Sequence, residues 1–295
     1  MHILTSSYTL DLAGVPTFTL TMYRELLERG HKVTVYCPMG GSLERQMNVV
    51  SDLNELSTPD VILAQHTPCA IALRDIFPDT PLLFYSHSIW IEIDQPPAFL
   101  ADGYLAINEA VMENLINQGV PKSKITIVRD FVDTARFTPT QPIHSKLEHV
   151  LFISNYKKWK NYFVVNGTCK KLGLNLKCCG SPYGRCRSIH ETINEADLVI
   201  SWGRGILEAM ACGRAVVSFD KLMGDGYLTP TAYYESRKDN FCGYLSKRTL
   251  TKDDLVGELL KYDPGCFKVN RDLILKYHDV KDGMDQILEI IKKIC

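Results

Sequence analysis

The sequence predicts an α/β protein built from two consecutive units, each a parallel sheet wrapped by helices. Three observations carry this. Short apolar runs alternate with helical patterns along the chain. The alternation lapses once, between Phe137 and His149, where Pro139 and Pro142 enter, and then restarts. A length of 295 residues is also enough for two cores of ordinary size.

Taken in order, His2 to Ser6 reads as the first strand, and a loop through Gly14 and Pro16 opens a helix with Phe18, Met22 and Leu26 on one stripe. Gly30 closes that helix. Strands follow at Lys32 to Cys37, Asp60 to Gln65, Pro81 to His87, Gly103 to Asn108 and Lys124 to Arg129, with a helix from Glu109 to Gln118 ending at Gly119. Beyond the proline-bearing lapse, His149 to Ser154, Leu174 to Cys179, Asp197 to Ser201 and Ala215 to Phe219 read as strands with helices between them. The division expected is 1–142 and 143–295. The final stretch from Met284, with Ile287, Ile290, Ile291 and Ile294 apolar, reads as a packing helix that can cross back to the first domain. Ligands of such sheets bind at the carboxyl ends of the strands, so the expected site is a cleft between the units.

Bulk composition excludes several functions. A net charge of −1, from 33 basic and 34 acidic residues, argues against a nucleic-acid partner, which calls for a basic excess. No apolar run approaches the ~20 residues that span a bilayer. Met1-His2-Ile3-Leu4-Thr5 turns polar at once, unlike a secretory signal. The ten cysteines have no repeating spacing, and Cys37, Cys69, Cys212 and Cys242 lie in or beside apolar stretches. Cys178, Cys179 and Cys186 with His190 lack the paired spacing of a zinc site. The cysteines are therefore expected to be free thiols in a reducing, cytoplasmic compartment, where the sequon Asn166-Gly167-Thr168 is silent.

The most specific segment runs from Gly203 to Val217, GRGILEAMACGRAVV, led by the apolar strand Glu195 to Ser201. A second block comprises Ala101-Asp102-Gly103-Tyr104, Asn114-Leu115, Gly119-Val120-Pro121, Phe131-Val132-Asp133 and Phe137-Thr138-Pro139. A third is Gly30 to Val35. In this order the blocks resemble the retaining glycosyltransferases grouped as family 4. The resemblance implies the GT-B fold, with two Rossmann-like domains facing each other across a cleft. The first would serve the acceptor and the second a nucleotide diphosphate sugar, UDP- or GDP-linked.

Physical chemistry agrees with that reading of the motif. A diphosphate needs donors aimed at its oxygens, and Gly203-Arg204-Gly205 opens a helix whose amides and dipole attract anions. An ordinary glycine turn capping a buried helix is the bland alternative. By resemblance, the donor is held by Gly203, Arg204, Gly205, Ile206, Leu207 and Glu208, with Glu208 on the ribose hydroxyls. Lys160 matches the lysine that stabilises the departing diphosphate. Asn155 falls within the family's phosphate-binding Gly-Arg pair and Lys157 lies just beyond it, although Lys157 and Lys158 also suit a solvated face. Gly14 matches a loop that approaches donor phosphate or acceptor, and equally suits a plain turn before a helix. His87, at the end of an apolar strand, matches a histidine facing the transferred sugar; a structural histidine is the alternative. His66 is a weaker candidate for the acceptor side.

Two departures stand out. The family's second glutamate, eight positions before Glu208, is Ile200 here, and the Gly-Arg pair is Ser154-Asn155. Sugar recognition must therefore differ, with Arg204 or Lys157 available to restore positive charge. Asp225, between Gly224 and Gly226, is a further residue near the donor motif. The expected reaction is transfer of a hexose, with retention of configuration, to a glycan or other hydroxyl acceptor. No DxD-like carboxylate pair is evident, so neither metal nor cofactor is expected. A nucleotide-sugar epimerase and a non-catalytic nucleotide-sugar binder on the same fold are the rivals. A nicotinamide dehydrogenase is disfavoured, because no GxGxxG follows the first strand.

Overall fold

The computed structural model describes residues 1–156, 159–181, 184, 186 and 188–295, the side chain of Trp159 excepted. The chain divides into two compact units, Met1–Asp130 with Val280–Cys295, and Phe131–Asp279.

The first unit runs β1 (His2–Ser6), α1 (Gly14–Glu28), β2 (Lys32–Tyr36), β3 (Val49–Val50), β4 (Val61–Ala64), α2 (Thr67–Ile76), β5 (Leu82–Ser86), β6 (Gly103–Ala106), α3 (Glu109–Asn117) and β7 (Ile125–Ile127). Among the described residues its sheet has seven strands in the order β3-β2-β1-β4-β5-β6-β7, every pair parallel. The segments VILA of β4 and LLFYS of β5 are apolar almost throughout and buried at every position, as strands covered on both faces must be.

The second unit runs β8 (His149–Ile153), α4 (Trp159–Leu172), β9 (Asn175–Cys179), α5 (Ile189–Asn194), β10 (Leu198–Ser201), α6 (Arg204–Ala211), β11 (Ala215–Asp220), β12 (Met223–Tyr227), α7 (Pro230–Ser236), α8 (Lys252–Leu259) and α9 (Cys266–Tyr277). Its sheet is ordered β12-β11-β10-β8-β9, with β12 antiparallel at one edge. Side chains alternate between two core layers. Leu151, Val199 and Val216 face one, and Val150, Phe152, Leu198, Ile200 and Val217 face the other.

The last helix, α10 (Val280–Ile294), belongs to the first unit. It buries Met284, Ile287 and Ile291. Arg29, which follows α1, donates to the Lys281 carbonyl at 2.9 Å and pairs with Asp285.

Phe131 opens the second unit, twelve residues before the expected boundary of 142/143, and the expected linker lies inside that unit. The prolines suppress a periodic pattern, but side chains supply the backbone's partners instead. Arg271 donates to the carbonyls of Phe137 at 2.6 Å and Thr134 at 2.9 Å. Asn194 donates to Thr138 O at 3.0 Å and accepts from Thr140 N at 3.0 Å. The Val132 amide reaches the His278 carbonyl at 2.9 Å.

The expectation of free thiols throughout is corrected at one place. Cys179 and Cys186 form a disulfide beside the Gly180–Gly184 bridge, with their Cα atoms 5.7 Å apart. The other eight cysteines are in no disulfide, and Cys37, Cys69, Cys169, Cys212 and Cys266 are buried. Burial pushes the thiols of Cys69, Cys169 and Cys212 up to about 12, so they stay protonated and behave as small apolar groups. Among the described residues no helix is long and apolar enough to cross a membrane.

Candidate functional site

In the second sheet the chain passes from β8 outward to β9, then returns to lay β10 on the other side of β8. Neighbouring strands whose connections leave in opposite directions open a crevice at their carboxyl ends, where ligands of such sheets bind. Here those ends are Ser154-Asn155-Tyr156 after β8 and Trp202-Gly203-Arg204 after β10. The sequence motif therefore falls at the topological switch point.

The turn into α6 is built by glycine. Gly203 has φ 57° and ψ −126° and caps the helix without a side-chain hydrogen bond, a conformation that strains any residue with a Cβ. Gly203 thus offers no side-chain cap to the first turn of the helix, and an uncapped helix start is where anions bind. Gly205 serves another purpose. A Cβ there would lie 2.3 Å from Ser201 Oγ, so its bare Cα lets α6 close onto β10. Ile206 and Leu207 bury their side chains in the core, and the Ile206 amide is already bonded to Gly203 O at 3.0 Å. Any part these two play in binding is a backbone one. Arg204 is buried: its Nη1 donates to Phe131 O at 2.7 Å and its Nε lies 3.3 Å from Glu208 Oε1. It clamps the helix to the start of the unit and holds Glu208, whose side chain is 13% exposed one turn into α6.

A polar network at the ends of β8 and β11 was not foreseen. Ser154 Oγ donates to Asp220 Oδ2 at 2.8 Å, and Asn161 Nδ2 donates to Asp220 Oδ1. Burial raises the Asp220 pKa, with these donors opposing the rise. Ser154 thus anchors strand to strand. Asn155 is exposed and accepts from Ser181 N at 3.0 Å, which ties down the turn after β9. Lys160 is exposed in the first turn of α4; Lys157 lies outside the described residues. A further cation, Lys221, stands with its Nζ 5.1 Å from the Trp202 ring centroid and 5.4 Å from that of Tyr156. Its only sequence signal was a lysine directly after an apolar strand. Asp225 lies on β12, where its Oδ1 accepts from Ser246 Oγ at 2.7 Å.

The first unit has its own switch point between β1 and β4. Gly14, the exposed first residue of α1, follows β1, with open space where a Cβ would stand. Beyond β4, Gln65 is buried; its Oε1 accepts from His87 Nε2 at 2.8 Å, and its Nε2 donates to Thr19 Oγ1 at 3.0 Å. His87, half-buried after β5, also stacks on Tyr85 with centroids 4.7 Å apart. His66 has φ 65° and accepts from Tyr8 N at 2.9 Å through Nδ1. That bond leaves Nε2 carrying the proton, and Nε2 lies 3.7 Å from Asp94 Oδ1. Burial pushes His66 down to about 4 and Asp94 up to about 7. Both Asp94 carboxyl oxygens are buried without a hydrogen-bond partner. Asp94 gave no sequence signal, since it sits in the irregular stretch between β5 and β6.

No family model matches the chain, and no curated protein matches it in sequence. Solved structures match its fold along nearly the whole length. HepE from Anabaena, in complex with UDP and glucose, gives a TM-score of 0.68 at 15% identity over 99% of this chain and 100% of that one. A glycosyltransferase from Rickettsia africae ESF-5 gives 0.64 at 15% identity, over 99% and 98%. An alpha-glucosyltransferase in complex with UDP and a 13-mer DNA containing an HMU base gives 0.65 at 12% identity, over 99% of each chain. The chain thus has the α/β architecture of GT-B glycosyltransferases, and at these identities the likeness is one of fold.

Proposed function

We propose that this protein is a glycosyltransferase that takes a hexose from a nucleotide diphosphate sugar and passes it, with retention of configuration, to a hydroxyl acceptor. The observation that carries the reading is the glycine-capped amino end of α6 at the switch point of the second sheet, with Glu208 one turn behind it. Fold neighbours bound to UDP and to UDP-glucose support a donor of this class. Helix amides receive the diphosphate, and the Glu208 carboxylate accepts from ribose hydroxyls. Lys160 stabilises the charge that develops as the diphosphate leaves, and Lys221 supplies a cation where the family's arginine is missing. In a retaining transfer the leaving phosphate itself takes the acceptor's proton, so the protein's work is positioning and charge stabilisation. His87, steadied by Gln65 and Tyr85, is the first unit's group for the sugar.

Slow donor hydrolysis tests this. UDP-, GDP- and ADP-sugars are offered without acceptor, and nucleotide release is followed for the wild type, Glu208→Ala and Lys160→Ala. Release from one donor is expected. Glu208→Ala should raise KM about 10–100-fold, the worth of hydrogen bonds to a charged group. Lys160→Ala should lower kcat about 100-fold or more. A chelator is expected to leave the rate unchanged. Tight donor binding with no turnover, even with candidate acceptors, would favour the non-catalytic reading instead.

A further inference from the structure

At the amino ends of β8 and β10, the ends opposite the α6 turn, three side chains converge. Asp197 immediately precedes β10 and its side chain is 3% exposed. Its Oδ1 accepts from the His144 amide at 3.0 Å and lies 2.8 Å from His144 Nδ1. Its Oδ2 accepts from the amides of Glu148 at 3.1 Å and His149 at 2.8 Å. His149 Nδ1 lies 3.6 Å from that same oxygen, outside hydrogen-bond reach, and is a buried atom with no hydrogen-bond partner. The two imidazole rings stand 5.4 Å apart, tilted by 36°. One ligand atom from each of the three residues lies within 4.8 Å of the others.

We propose that His144, His149 and Asp197 form a binding site for a divalent transition-metal ion, of which zinc fits best. A carboxylate offers about four acceptor positions. Backbone amides occupy three at Asp197 and fix its orientation, as partners of a metal-bound carboxylate do. The fourth, on Oδ1, faces the His144 ring. Zinc bonds to N and O are about 2.0–2.2 Å, so ligands on a tetrahedral ion stand roughly 3.3–3.5 Å apart. His144 Nδ1 stands 2.8 Å from Oδ1 and His149 Nδ1 3.6 Å from Oδ2, one on each oxygen of the carboxylate and on either side of that spacing. Two imidazoles and one carboxylate suit zinc, nickel or copper and disfavour magnesium or calcium, which prefer all-oxygen shells. Both histidine side chains are about half exposed, which leaves an entry path and room for water in the fourth position. If Asp197 served only to bind amides and the His144 ring, the partnerless His149 Nδ1 beside it would remain unexplained.

The site does not depend on the transferase reading. Six residues of extended chain separate Asp197 from Gly203, about 20 Å at ~3.3 Å per residue. A bound ion therefore tightens the second unit by joining residues 144–149 to β10, and takes no part in chemistry at α6.

Zinc, nickel and cobalt are titrated into chelator-stripped full-length protein against a chromophoric competitor, with His144→Ala/His149→Ala as comparison. Both replaced side chains are partly exposed, so the variant is expected to fold, and an unchanged circular dichroism spectrum and metal-free Tm verify that. Free thiols are common to both proteins and cancel in the comparison. One ion per chain is expected in the wild type, at least 10-fold tighter than in the variant. Zinc should raise the wild-type Tm by a few degrees and leave the variant's unchanged, and the cobalt spectrum should lack a thiolate charge-transfer band. Equal affinity and equal Tm shift in the two proteins would overturn the site.

Discussion

Arg214 is 1% exposed, and its guanidinium serves the carbonyls of Cys212, Asn194, Ala196 and Gln141. Few residues can do this, because the planar fork reaches several acceptors at once while a lysine presents a point charge. Arg214→Met should cost roughly 3–5 kcal/mol in denaturant unfolding, since it strands several buried carbonyls at about 1–3 kcal/mol each; a loss under 1 kcal/mol would contradict the assigned role. Asp94 makes a pH-dependent prediction. Its folded-state pKa is raised from 3.8 to about 7 by burial. The neutral acid's contribution is therefore whole below pH 3.8 and is lost as pH rises through about 7. His66, lowered from 6.5 to about 4, runs the other way: its contribution is whole above pH 6.5 and is lost as pH falls through about 4. The two slopes oppose each other in one window, so Asp94→Asn isolates the first. Between about pH 4 and pH 7 the wild type should lose stability relative to Asp94→Asn, by on the order of a few kcal/mol; parallel unfolding free energies across that range would refute it.

At the level of elements, α6 joins two requirements in glycines two positions apart. Gly203 is needed for its backbone angles, and Gly205 for the closeness of Ser201. Gly205→Ala should cost about 1–3 kcal/mol through overpacking and weaken donor binding by displacing the helix end. Removing the opposing hydroxyl in a Gly205→Ala/Ser201→Ala variant should recover part of both losses, because the next atom, Ser201 Cβ, is 3.1 Å away. If the second change recovers nothing, the contact is not what fixes the glycine. The edge strand β12 teaches the complementary lesson. Met223-Gly224-Asp225-Gly226-Tyr227 is a strand whose glycines face the Ser218 carbonyl and the Glu258 carboxylate at distances no Cβ could occupy.

On the scale of the whole molecule, the first unit is completed by residues from the far end of the chain. Ile287 and Ile291 of α10 are fully buried, and the helix packs on α1. Ile287→Ala should destabilise by about 2–5 kcal/mol. The effect should appear as faster amide exchange in α1 and β1, more than 250 residues earlier in the chain, while β8 and β10 keep their protection. Loss of protection confined to α10 would show that the helix is an appendage.

Apart from β3 and β12, the strands of both sheets were legible to within a residue or two, because buried parallel strands are written as unbroken apolar runs between helical patterns. The turn at Gly203 was legible as well, since a glycine pair opening LEAMACG is local chemistry. The unit boundary, the Cys179–Cys186 bond, the Ser154–Asp220–Asn161 network, the His66–Asp94 pair and the gathering of His144 and His149 on Asp197 were not. Each joins residues with no periodic relation in sequence, brought within a few ångströms by strand order. By itself the sequence determined the kind of elements and the motif at the α6 turn, which are local and periodic. Only the tertiary structure decided which polar groups share a site, because a polar side chain's role depends on what the fold sets opposite it.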